Sequence, residues 1–445
     1  MTISLKNADI LIFLVFFSSA MFFSIFKIEY PLFVFAGTLP FLAVQKHLLT
    51  TFISDIKKLR YPLIFSAVLT FFAFVSLIYC FDISKTLASI FYFWLIPQFI
   101  MVISFLVFLR SNFNPTKISI LILGVILFAH IVATIIQWIL FGYSRNAGLA
   151  MGQTPIIPYS IFLTLGLCYS ICLFYFTKYK KIAFSLSILS VISFYANGSR
   201  CLIFVVLSLI LFSLILFKYA KKGLILVLSL IIICGILSST LILSHQWSIR
   251  FNFNAIFANV FKILQYTPSS MGQYDPYCFS QDSSYSCAKE SRVQKREKVL
   301  DPSFLNRLSL YKSASLIIID NPLRPNGYNQ HYFKYNIPHN INPSSLPYPR
   351  DKDGLSYYGE IHNSFLSAFF EMGIIGGLAY MLFFAYLFVI GIKKQSFFSM
   401  LLSMFVLSIS IISIFDIPLG SGTTACFSFF IFGMCLGIMH RKDLQ

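Results

Sequence analysis

Acidic residues are scarce. The chain has 16 Asp and Glu in 445 residues against 34 Lys and Arg, and charged residues of both signs make up only 11%. That is too little polar surface to cover a soluble domain, so a soluble globular fold is excluded. Tryptophan is rare as well, with three copies. The nine cysteines form no metal-ligand pattern: seven lie in or beside apolar runs, where they read as small hydrophobes. The first apolar stretch, Ala8 to Phe26, lacks a small-residue cleavage site and reads as a first membrane span rather than a signal peptide. No internal repeat, low-complexity tract or linker between separate domains is apparent.

What is present is hydrophobic length. The chain is 58% hydrophobic with 52 phenylalanines, and its mean hydropathy is +0.79. A bilayer-spanning helix needs roughly 17–25 apolar residues. Twelve runs are candidate spans, Ile28–Val44 and Ile182–Ala196 being short: Ala8–Phe26, Ile28–Val44, Tyr61–Cys80, Thr86–Leu109, Ile118–Phe141, Ile156–Phe176, Ile182–Ala196, Cys201–Phe217, Leu224–Leu243, Phe365–Ile392, Phe397–Ile414 and Thr423–Ile438. The expected fold is an all-α integral membrane protein of about twelve transmembrane helices. Residues 1–243 hold spans one to nine, 244–363 form one large loop, and 364–445 hold spans ten to twelve.

Charge placement orients this list. With the N-terminus in the cytoplasm, 17 of the 34 basic residues fall in inside loops and termini. Only four, Lys27, Lys85, Arg145 and Arg200, fall in short outside loops. The other 13 lie in the large loop, to which the positive-inside rule does not apply. The net charge of +18 is therefore largely topological and calls for no nucleic-acid partner. Both termini are expected in the cytoplasm of a multi-pass membrane protein, with the large loop facing outward, into a periplasm if the organism is Gram-negative. That compartment permits a disulfide between Cys278 and Cys287.

Inside the loop, the run from Asp301 to Ile319 predicts a helix, with Ser303 as N-cap and Leu308, Tyr311 and Ser315 at helical spacing. Asn321-Pro322 ends it and Pro325-Asn-Gly327 marks a turn. The topology gathers four polar residues on the outer face: Arg145, Arg200, Arg307 and His362. Each has a structural alternative, as a snorkelling interfacial cation, a solvated helix face or a hydrogen-bonded histidine. Gly373, Gly376 and Gly377 read as helix packing, the first and last at a close-approach spacing. Arginine forks bind phosphate oxygens in pairs, and a histidine can take a proton from a hydroxyl. Together they point to a lipid phosphate or diphosphate substrate at the outer leaflet.

Three motifs resemble the O-antigen ligase and O-antigen polymerase superfamily. They are Gly198-Ser199-Arg200 opening a span; Asn306-Arg307-Leu-Ser-Leu-Tyr followed by Asn321-Pro322 and Gly327; and His362-Asn363 followed by Glu371-Met-Gly373-Ile-Ile-Gly376. A large loop between spans nine and ten is similar to the ligase layout. The resemblance implies a multi-span, C-type, inverting glycosyltransferase with no metal or other cofactor. It would take a glycan from undecaprenyl diphosphate to the lipid A–core of lipopolysaccharide. By the same resemblance Arg200 and Arg307, with Arg145, hold the diphosphate, and His362 deprotonates or orients the acceptor hydroxyl. An O-antigen polymerase, a protein O-oligosaccharyltransferase and a flippase for lipid-linked glycans are the alternative readings.

Overall fold

A computed structural model describes residues 52–80, 83–110, 115–141, 148–150, 156–199, 201–216, 307, 311, 314–315, 318–328 and 361–441. The described residues are helical, with turns between helices and no strand. This follows from the solvent: inside a bilayer every N–H and C=O must be paired within the segment, and an apolar run can do so only as a helix. We label the helices α1 (Arg60–Val75), α2 (Ile83–Ile90), α3 (Ile96–Arg110), α4 (Pro115–Leu140), α5 (Ile156–Phe176), α6 (Lys180–Asn197), α7 (Cys201–Leu216), α8 (Ser364–Lys394), α9 (Phe397–Phe415) and α10 (Gly422–Met439). A π turn over Phe91–Leu95 joins α2 to α3. It absorbs Pro97, which has no N–H to offer the Phe93 carbonyl.

Seven helices among the described residues are long and apolar enough to cross a membrane: Phe52–Ile78, Ile83–Arg110, Thr116–Leu140, Pro158–Phe176, Ser364–Lys394, Phe397–Phe415 and Gly422–Met439. Helices α6 and α7 coincide with two further predicted spans, and α7 is a shorter apolar helix. The predicted spans at Ala8–Phe26, Ile28–Val44 and Leu224–Leu243 lie outside the described residues. The predicted span Phe365–Ile392 corresponds to Ser364–Lys394. Within it α8 is broken at Gly373, where the backbone leaves helical geometry at φ 71° and ψ 176°.

Contacts divide the chain into two units. The first contains the described residues of 52–67, 91–216 and 381–441. Helix α10 is its core, buried along its whole length. It lies backbone to backbone on α3, because Gly433 and Gly437 face the carbonyls of Met101 and Phe105. Trp94 stacks edge-on against Phe383 and Phe429. Buried hydroxyls are paired locally: Thr164 donates to the Ile161 carbonyl at 3.0 Å and Ser170 to Leu167 at 2.8 Å. Ser187 of α6 reaches Ser170 of α5 at 2.8 Å. At one end Asp55 takes both Nε and Nη2 of Arg110, at 2.5 and 2.6 Å, and Lys58 at 3.1 Å.

The second unit contains the described residues of 68–90, 307–328 and 361–380. Residues 307, 311, 314, 315 and 318–320 are helical, as predicted for the loop, and the helix gives way to a turn at Asn321. Ser303 and Leu308 lie outside the described residues. Gly376 serves as a packing glycine here, since a Cβ on it would lie 3.2 Å from the Cβ of Phe72.

Candidate active site

The site is built around the start of α8. Asn363 caps the helix: its Oδ1 accepts the Leu366 N–H at 2.9 Å, and its carbonyl accepts the Ser367 N–H at 2.8 Å. His362 precedes the cap with φ 56°, a left-handed conformation that costs a non-glycine residue about 1–3 kcal/mol and persists only where neighbours enforce it. One such neighbour is Tyr311 in the loop helix, whose hydroxyl donates to the His362 carbonyl at 2.7 Å. Arg307 stands four residues before Tyr311 and is helical and half-buried. That spacing sets Arg307 and Tyr311 on one face of the loop helix.

The other end of this short helix is held by the turn after the loop helix. The break at Gly373 frees the backbone groups that a regular helix would pair internally. The Ile374 N–H, which would otherwise bond Phe370, donates to the Pro322 carbonyl at 2.8 Å. The Phe370 carbonyl accepts Asn326 Nδ2 at 2.9 Å, and the Glu371 carbonyl accepts the Asn326 N–H at 3.1 Å. The turn itself is closed by Arg324 N–H to Asn321 carbonyl at 3.1 Å. Gly373 is required on two counts. Its φ and ψ are accessible essentially to glycine alone, and a Cβ would sit 2.9 Å from the Leu323 carbonyl oxygen. The expected close-approach role of Gly373 therefore becomes something more specific, a break into which a polar turn is inserted.

Around this turn lie residues that the sequence reading passed over. The Arg324 guanidinium sits over the Tyr79 ring at 5.1 Å. The Tyr328 N–H donates to Ser76 Oγ at 2.9 Å. Burial, with Glu371 and Tyr380 nearby, pushes the Tyr328 hydroxyl well above the ordinary tyrosine range, so it remains protonated and can donate a hydrogen bond. A cation placed between Pro322 and Pro325 was the signal available for Arg324.

Residues 182–381 match the family model described as O-antigen ligase. The match supports the O-antigen ligase and polymerase superfamily, whose members are glycosyltransferase-like enzymes. No curated protein matches the chain.

The O-antigen ligase region takes in Arg200, Arg307 and His362, while Arg145 precedes it. Arg307 and His362 both belong to the second unit and are linked through Tyr311 as described. Arg200, Arg145, Cys278 and Cys287 lie outside the described residues. The flanks of the two arginines are nonetheless informative. Helix α6 ends on Gly198, left-handed at φ 71° with its N–H on the Phe194 carbonyl at 3.1 Å, so the glycine of Gly198-Ser199-Arg200 is what reverses the chain between α6 and α7. Three residues beyond Arg145, the Gly148 carbonyl accepts Gln137 Nε2 at 2.9 Å. Below it His130 Nδ1 pairs with the Tyr159 hydroxyl at 2.8 Å. Among the described residues no three His, Cys, Asp or Glu side chains gather in a way that could hold a metal ion.

Proposed function

We propose that this protein is a ligase that moves a glycan from undecaprenyl diphosphate to the lipid A–core at the periplasmic face of the inner membrane. The observation that carries this reading is the Tyr311 to His362 hydrogen bond, which ties the helix bearing Arg307 to the histidine within the O-antigen ligase region. Arg307 offers a planar fork to the diphosphate oxygens and stabilises the charge that grows as the anomeric C–O bond breaks. His362, half-buried and fixed by its backbone, takes the proton of the acceptor hydroxyl as that oxygen bonds to the anomeric carbon from the opposite face. The diphosphate leaves with the electron pair, and the configuration at carbon inverts. Arg200 and Arg145 carry a diphosphate-binding role by resemblance alone.

The test supplies purified protein in liposomes with lipid-linked glycan, with and without lipid A–core. Glycosylated core, formed only when the core is present, is the expected result. Longer lipid-linked chains without it would instead identify a polymerase. Transfer of the intact glycan lipid across the bilayer with neither product would remove the enzyme reading.

A further inference from the structure

Helices α4, α5 and α6 enclose a cleft of about 1130 Å³ that belongs to the first unit and has no part in the site above. Its walls come from the first half of α4, the last half of α5 and the first half of α6, so the whole cleft opens at one end of the three helices. Lys117, Lys178 and Lys181 line it at that end, and no Asp or Glu lines it anywhere. All three lysines are exposed. Among the described residues no carboxylate pairs with them, and the Lys178 ammonium rests over the Tyr179 ring at 5.7 Å. Deeper in, the lining is apolar down to Phe128 apart from Ser185 and the hydroxyl of Tyr169. Tyr169 ties the walls together by donating to the Ile120 carbonyl at 2.7 Å.

The dimensions identify the occupant. From Lys117 to Phe128 the helix advances eleven residues, about 16 Å at about 1.5 Å per residue. That is close to half of a hydrocarbon core of about 30 Å, the depth of a single leaflet. The exposed wall of α4 offers Leu121 and Val125, 67% and 60% exposed, to acyl chains. An ordinary lipid-facing surface carries cations at its cytoplasmic edge but needs no concavity beneath them. Here an apolar shaft one leaflet deep ends in three lysines that no carboxylate among the described residues pairs with, which matches an anionic headgroup above two acyl chains. The lysines fall at the helix ends that the charge bias assigns to the cytoplasm.

We propose that the α4–α5–α6 cleft is a binding site for one anionic glycerophospholipid of the inner leaflet, its phosphate held by Lys117, Lys178 and Lys181. The site is independent of the transfer reaction. Full-length protein in neutral detergent is incubated with phosphatidylglycerol, phosphatidylcholine or undecaprenyl phosphate, and retained lipid is counted by native mass spectrometry. One phosphatidylglycerol per chain is expected, retained at least tenfold better than phosphatidylcholine. The combined variant Lys117→Gln, Lys178→Gln, Lys181→Gln lowers retention tenfold or more. The equally exposed pair Lys57→Gln, Lys180→Gln, which does not line the cleft, leaves it unchanged. Ser185→Trp, an exposed lining position, blocks retention without touching a charge. Equal retention by the triple variant, equal loss in the control pair, no preference over phosphatidylcholine, or displacement by equimolar undecaprenyl phosphate would each overturn the assignment.

Discussion

In α10, Gly433 and Gly437 stay helical and let the helix lie against the carbonyls of α3, a Cβ at Gly437 falling 2.6 Å from the Phe105 oxygen. In α8, Gly373 abandons the helix and admits a polar turn whose backbone and Asn326 side chain take over the missing hydrogen bonds. Both are glycines in apolar membrane helices, yet one kind joins two rods and the other divides one. Helix-to-helix contact in lipid depends on close dispersion packing rather than on hydrophobic expulsion, so the first use serves stability. Irregular backbone in a membrane protein is tolerated only where it is buried in protein or lines a cavity, so the second use belongs beside a site. The difference separates a frame from a working part.

If that separation is right, damage to the working part should show in transfer and damage to the frame in folding. The largest effect is expected for His362→Ala: a loss of about 10²- to 10⁴-fold in initial transfer rate, with an unchanged melting temperature. Gly437→Leu drives a side chain into the α3 backbone and should cost about 1–3 kcal/mol of stability. A lower melting temperature in detergent would register it, with transfer per folded molecule preserved. Gly373→Ala should show the reverse pattern. The turn and the short helix that carries His362 shift to relieve the strain, so transfer drops tenfold or more while melting falls less than for Gly437→Leu. Equal shifts in melting for the two glycine variants would erase the distinction. The smallest effect belongs to Tyr311→Phe, which deletes one hydrogen bond of about 1 kcal/mol and should slow transfer about fivefold.

Much of the frame was legible because hydropathy and helix formation in lipid are the same constraint. Ile156–Phe176 is bounded by polar residues on both sides, and α5 begins and ends on the same residues. The break in α8 was not legible. Glu371-Met-Gly373-Ile-Ile-Gly376 keeps its apolar character across the break, and hydropathy carries no record of φ. The compensating bonds come from Pro322 and Asn326, more than forty residues away, so no local pattern reveals them. Tyr311 stood out by helical spacing and as the last residue of Asn306-Arg307-Leu-Ser-Leu-Tyr, whereas its contribution is a hydroxyl aimed at the His362 carbonyl. Arg324 was hidden between two prolines that read as turn punctuation. Isolated polar residues such as His130 and Tyr159 vanish within averages over apolar runs, yet they pair with each other at 2.8 Å.

The short helix from Ser364 to Met372 is pinned at both ends by one stretch of chain. Tyr311 grips the residue ahead of its first turn, and Pro322 and Asn326 grip its last. The loop helix and this segment therefore make a closed mechanical ring, like a four-bar linkage, in which neither bar turns without the other. A pull on the loop helix is therefore a pull on the backbone of His362, and the turn at Asn326 cannot move without the last turn of the short helix. Coupling two segments in this way needs no rigid domain; four hydrogen bonds and one glycine are enough.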